Sequence, residues 1–177
     1  SHMDLHVGPL MMLGPTMDPQ VAHAISLRVP HLPIRMIEHA RRAQCFAERL
    51  DQAGLRVTYP GLEKHPDHQL FRQIGRADYG FGGLLTIDTG SRACAEALMD
   101  DLQNTEGFGF MAVSLGYFDT LMSCSASSTS SELTDDALRA AGIAPGLLRM
   151  SIGFTGSAEQ RWQQLERALR RTGLLRG

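Results

Sequence analysis

Two runs decide how this chain is read: Phe110-Met-Ala-Val-Ser-Leu-Gly-Tyr-Phe-Asp-Thr-Leu121 and Leu147-Leu-Arg-Met-Ser-Ile-Gly153. In the second, Leu148, Met150 and Ile152 fall on one side of an extended chain and Arg149 and Ser151 on the other. That alternation belongs to a strand with one buried face. The run Ser123-Cys-Ser-Ala-Ser-Ser-Thr-Ser-Ser131 between them reads as a polar loop, followed by a short helix. An arginine standing off a strand, near a serine at the end of another, is a natural receptor for a small carboxylate. The guanidinium offers a planar fork of donors to two oxygens. By pattern alone, a solvated surface arginine is the commoner outcome.

Working outward, Asp18-Pro19 starts a short helix to about Arg28, with Asp as cap and Pro in the first turn. From Pro33 to Ala53 comes the longest helix, with Met36, Ala40, Ala43, Ala47 and Leu50 on one stripe and Arg35, Glu38, Arg42 and Arg49 on another. Leu55 to Tyr59 reads as a strand, Asp67 to Ile74 as a helix, and Gly83 to Asp88 as a strand. Ser91 caps a helix to Leu102, Gly109 to Val113 is a strand, and Thr134 caps a helix ending at Gly142. Ser157 with Gln160 forms a capping box before a last helix that carries Trp162, Leu165 and Leu169 on one face. Three or four strands separated by short helices predict an α/β fold, a two-layer α+β sandwich.

The 177 residues suffice for one domain with a real core, or one domain plus an appended helix. A net charge of −2 gives no electrostatic case for nucleic acid or an anionic membrane surface. No apolar run approaches the roughly 18 residues of a spanning helix. Cys45, Cys94 and Cys124 are odd in number and far apart, which predicts a reducing, cytoplasmic setting and neither a disulfide framework nor a metal site.

Other candidate motifs carry less. His65 and His68 have a metal-compatible spacing, but with Pro66 between them and no third ligand they read as a surface turn. Tyr79-Gly-Phe-Gly-Gly83 lacks the basic residue and helix start of a phosphate cradle and reads as a bend into a strand. Ser, His and Asp are present without a Gly-x-Ser-x-Gly elbow.

The ordered set Tyr59-Pro-Gly-Leu62, His65-Pro-Asp-His68, Phe81-Gly-Gly-Leu84, Val113-Ser-Leu-Gly116 and Leu148-Arg-Met-Ser-Ile-Gly153 resembles the Cys/Met-metabolism family of pyridoxal-phosphate enzymes. The resemblance runs from about Leu10 to Leu169. Leu13-Gly-Pro-Thr-Met17, Arg28-Val-Pro-His-Leu32 and Ser127-Ser-Thr-Ser-Ser-Glu-Leu133 resemble the family's plant-type methionine γ-lyase branch in particular. It implies a small, mostly antiparallel sheet with helices on one side, preceded by a long linker helix. Residues 1–54 would form the N-terminal segment and linker, and residues 55–177 the C-terminal small domain.

The resemblance also implies roles. Arg149 matches the position that binds the substrate α-carboxylate, and Ser114 the one that lies beside the cofactor and helps orient that carboxylate. Tyr117 could reach the site, although a tyrosine there is more often core. Thr129 is retained in a loop where Cys124, Ser125, Ser128 and Ser130 depart from the broader family's pattern. The single lysine, Lys64, does not match the family's imine-forming position, and neither the pyridine-nitrogen aspartate nor the phosphate turn has a counterpart. The expected partners are therefore an amino-acid substrate, a separate N-terminal domain carrying pyridoxal 5'-phosphate, and further copies in a homo-oligomer. The implied activity is carbon–sulfur lysis of methionine. Cystathionine γ-lyase, cystathionine γ-synthase and O-acetylhomoserine sulfhydrylase are alternatives, and a non-catalytic binding or self-association module is the reading from another class.

Overall fold

A computed structural model describes residues 17–128 and 132–175. By internal packing the chain divides into residues 1–34 and 35–177. In the first unit, helix α1 (Pro19–Arg28) begins where the sequence predicts. The Asp18 carboxylate accepts the amides of Gln20 at 2.9 Å and Val21 at 3.1 Å, satisfying donors that the helix itself leaves free. Helix α2 (Leu32–Gln52) crosses the division one turn after it starts.

The second unit is built on a five-stranded sheet: β1 (Arg56–Thr58), β2 (Leu84–Asp88), β3 (Phe110–Met111), β4 (Leu121–Cys124) and β5 (Leu147–Ser151), in the order β1-β2-β5-β4-β3. All neighbours are antiparallel except β3 and β4. The remaining helices are α3 (His68–Ile74), α4 (Arg92–Asp100), α5 (Asp135–Ala140) and α6 (Ala158–Arg171). The caps at Ser91, Thr134 and Ser157 form as predicted, each side chain accepting an amide of the first turn. Each such cap is worth about 1 kcal/mol.

The pleat separates the sheet into two faces. Val57, Leu85, Ile87, Met122, Cys124, Leu148 and Met150 join Phe46 and Leu50 of α2, Leu98 of α4, and Trp162 and Leu165 of α6 in one buried cluster. Arg149 emerges on the opposite face between its cross-strand neighbours Thr86 and Ser123.

Two sequence expectations are corrected. The predicted loop from Ser123 begins inside a strand: Leu121–Cys124 is fully buried β4, and the polar stretch starts only at the 3-10 turn Ser125–Ser127. Its hydroxyls hid a strand whose one serine, Ser123, faces Arg149 across the ladder. Arg42, predicted on the polar stripe of α2, is buried. Its guanidinium donates to Thr155 O and Gly156 O, both at 2.7 Å, and to Glu38 at 2.6 Å. It thereby ties α2 to the chain just beyond β5.

The Arg41 guanidinium, with Arg42 beside it, holds the Glu38 carboxyl down at about 2 from an ordinary 4.5. A carboxylate depressed on folding stabilises the fold above its unfolded pKa, and that stabilisation is lost as pH falls through the folded value. Urea titrations of Glu38→Gln should therefore show a flatter loss of stability between pH 4.5 and 2 than wild type does. Leu148, fully buried at the centre of the sheet, tests the core. Leu148→Ala should lower unfolding free energy by about 2–5 kcal/mol in chemical denaturation.

Candidate active site

The outward face of β5 meets the segment that links β3 to β4. Residues 112–118 cross this face. They are held by backbone bonds at both ends, Ala112 N to Met122 O and Phe154 N to Phe118 O. Between those ends two side chains of β5 reach up. Arg149 Nη2 donates to Ser114 O at 3.2 Å, and Ser151 Oγ accepts from Gly116 N at 2.9 Å. The chain leaving β5 needs glycine where it passes the loop's exit: a Cβ on Gly153 would sit 2.4 Å from the carbonyl carbon of Asp119. Asp119 in turn accepts from Arg161 at 3.1 Å, in an ion pair only 15–17% exposed. This pair anchors the loop's exit to α6.

The guanidinium of Arg149 is half-buried, and its Nε lies out of solvent with no hydrogen-bond partner among the described residues. A buried donor with no acceptor is costly, by about 1–3 kcal/mol. An anion that took Nε–H together with a free Nη hydrogen would relieve that cost with a bidentate, charge-assisted pair. Beside this point, along β5, opens a cleft of about 410 Å³ lined mainly by Met36, Phe71, Phe81, Leu84, Leu115 and Ser151. The site thus couples one cationic fork to an apolar hollow.

Of the predicted site residues, Arg149 and Ser114 come together, although Ser114 meets the guanidinium through its carbonyl and its side chain is exposed. Tyr117 is exposed, not core. Its ring lies tilted against Phe118, centroids 3.9 Å apart, and stands edge-on to Phe110 at 6.5 Å. Thr129 lies outside the described residues. Lys64 is committed to an ion pair with Asp51.

His68 corrects the surface-turn expectation. It is buried, stacked on Phe81 with ring centroids 4.9 Å apart, and bonded through Nδ1 to Pro60 O at 2.8 Å. Among the described residues no group of three or more His, Cys, Asp or Glu side chains is placed to hold a metal ion. None of their helices is long and apolar enough to cross a membrane.

Ser151 and Gly116 were not singled out from sequence. The signal was available: Ser151 shares the outward register of Arg149.

The arrangement, an α/β sheet with a half-buried arginine whose Nε has no partner and an apolar cleft further along the same strand, has the chemistry to take a small organic anion. The comparisons narrow this. Residues 5–170 match the family described as Cys/Met metabolism PLP-dependent enzyme, and the chain belongs to that family. It is 57% identical over 169 residues to methionine gamma-lyase of Arabidopsis thaliana, covering 96% of this chain and 38% of that protein. It is 33% identical over 151 residues to L-methionine gamma-lyase of Fusobacterium nucleatum subsp. polymorphum, covering 84% and 36%.

Among solved structures, a putative O-acetylhomoserine (thiol)-lyase of Campylobacter jejuni that carries a pyridoxyl-lysine superposes with a TM-score of 0.81 at 26% identity, over 95% of this chain and 39% of that one. Cystathionine gamma synthase of Xanthomonas oryzae pv. oryzae, in complex with cystathionine, superposes at 0.69 with 35% identity, over 81% and 36%. The chain therefore spans between a third and two fifths of the length of these relatives.

The fit to the family's cofactor is partial. The unpartnered Arg149 Nε suits a substrate carboxylate. The single lysine, Lys64, stands in an exposed ion pair with Asp51. The described residues thus offer a donor suited to a carboxylate at Arg149, and Lys64 is not among the residues that line the neighbouring cleft. Titrating glycine or methionine into ¹⁵N-labelled protein should shift the Arg149 Nε–H resonance saturably, and Arg149→Met should abolish the response. An equal response from glycinamide, which lacks the carboxylate, would place the binding elsewhere.

Proposed function

We propose that this chain supplies the substrate-carboxylate half of a pyridoxal-phosphate-dependent carbon–sulfur lyase whose substrate is methionine. The observation that carries the reading is the orphaned Nε of Arg149, on a strand face bordered by an apolar cleft. The 57% identity to a methionine gamma-lyase favours methionine over the other sulfur amino acids of the family. Residues 55–177 act as the small domain, the lysine that anchors the cofactor comes from a separate part of the enzyme, and the enzyme works as a cytoplasmic homo-oligomer.

Pyridoxal phosphate, when bound, supplies the electron sink that allows the Cα–H and Cγ–S bonds to break. Arg149 holds the carboxylate through its Nε edge and so fixes rotation about the substrate's Cα. Such positioning is worth several kcal/mol of barrier, because the reacting bond no longer searches for its alignment. The Ser114 carbonyl occupies Nη2 and leaves the Nε edge of the guanidinium for the carboxylate. The apolar walls take the thioether end of the substrate. The overall change converts methionine and water into methanethiol, 2-oxobutanoate and ammonia.

Two experiments test this. The chain alone, incubated with pyridoxal phosphate and reduced with borohydride, should give no stoichiometric label at Lys64 and no methanethiol from methionine. Labelling at Lys64 accompanied by turnover would overturn the division of roles. In the enzyme that contains this chain, Arg149→Ala should lower kcat/KM for methionine about 30- to 3,000-fold, the scale of removing one partner of a buried charge pair. An unchanged value would remove Arg149 from the site. A panel of methionine, cystathionine and O-acetylhomoserine on that enzyme tests the substrate, and methionine should give the highest kcat/KM.

A further inference from the structure

Ser151 is 3% exposed and plays no part in the reaction as described. It stands two residues after Arg149 on the same face of β5, and its Oγ accepts the Gly116 amide at 2.9 Å. Gly116 has φ +72, and a Cβ there would meet nothing within 4 Å. Glycine is therefore required at this point for its backbone angle and not for space. Two residues earlier in the loop, Ser114 O accepts Arg149 Nη2. Positions 149 and 151 of the strand thus grip positions 114 and 116 of the loop, in matched steps of two.

We infer that Ser151 is a positioning residue. Its buried hydroxyl fixes the 114–116 loop above the sheet and thereby sets the angle at which the Arg149 guanidinium presents its free edge to a substrate carboxylate. The loop has no other hydrogen bond to the outward face of β5 among the described residues, so removing the hydroxyl leaves Arg149 holding Ser114 alone. Gly116 itself is exposed, so without the hydroxyl its amide is left open to solvent exchange. The functional half of this inference rests on the carboxylate reading of Arg149, whereas the clasp itself does not.

The test uses Ser151→Ala, with Ser151→Thr as the variant that keeps the hydroxyl. In ¹⁵N-labelled chain, solvent exchange of the Gly116 amide should quicken about three- to tenfold in Ser151→Ala, the scale of one hydrogen bond. Ladder amides of β4 and β5 should be unaffected, and Ser151→Thr should restore most of the protection. In the enzyme containing this chain, Ser151→Ala should raise KM for methionine more than it lowers kcat. Unchanged Gly116 exchange would overturn the clasp, and so would acceleration spread evenly over the ladder. Local acceleration with KM unaltered, in an enzyme where Arg149→Ala does raise KM, would overturn the positioning role. KM insensitive to both substitutions would instead bring down the carboxylate reading and leave the clasp standing.

Discussion

Strand β5 must serve two environments with alternate residues, and the rest of the structure follows from that constraint. Leu148 and Met150 are fully buried against the helices, whereas Arg149 and Ser151 point to the other face. A shift of one residue in its register would put a guanidinium into the core and a leucine at the site. The register is fixed from both sides, by five pairs with β2 and four with β4. A central strand pinned in this way is a rigid mount for the side chains it carries.

The second element is a loop that cannot hold itself. Residues 112–118 include four exposed apolar or aromatic side chains, Val113, Leu115, Tyr117 and Phe118, and little of the loop's surface is buried. Its position comes from polar contacts at defined points: Arg149 and Ser151 beneath it, and the half-buried Asp119–Arg161 pair at its exit. An ion pair sheltered from water is worth more than the surface pairs elsewhere on this chain, such as Arg139–Asp136, because solvent screens it less. Arg42 does for the segment after β5 what Arg161 does for the segment before β3, donating to backbone carbonyls there, Thr155 O and Gly156 O in the one case and Gly107 O in the other.

Period and capping made much of this legible in the sequence. The alternation at 147–152 located β5 and set Arg149 on the polar face, and the caps at Asp18, Ser91, Thr134 and Ser157 fixed four helix starts. What escaped was polar sequence that tertiary structure had buried. Ser123 sits in a strand whose four residues are all buried, so composition pointed to a loop where the ladder wins. Arg42 and His68 read as surface residues because their partners, the carbonyls of Thr155, Gly156 and Pro60, are backbone atoms whose positions no residue type announces. Ser151 was overlooked for the same reason: its partner is the amide of a glycine 35 residues away.

The contacts that aim Arg149 all lie within residues 35–177, the unit that carries the sheet. Its orientation is therefore set before any other part of an enzyme approaches. The orphaned Nε is the local cost of that arrangement, carried by a fold whose core supplies stability elsewhere. In the role proposed for Arg149, binding energy from a carboxylate would go into holding the ligand and not into ordering the arginine, which is the condition under which positioning lowers a barrier. A guanidinium free to swing from an exposed strand would have to be immobilised at each binding event. Anchoring Nη2 on Ser114 O removes that entropy in advance and leaves one edge open for the ligand.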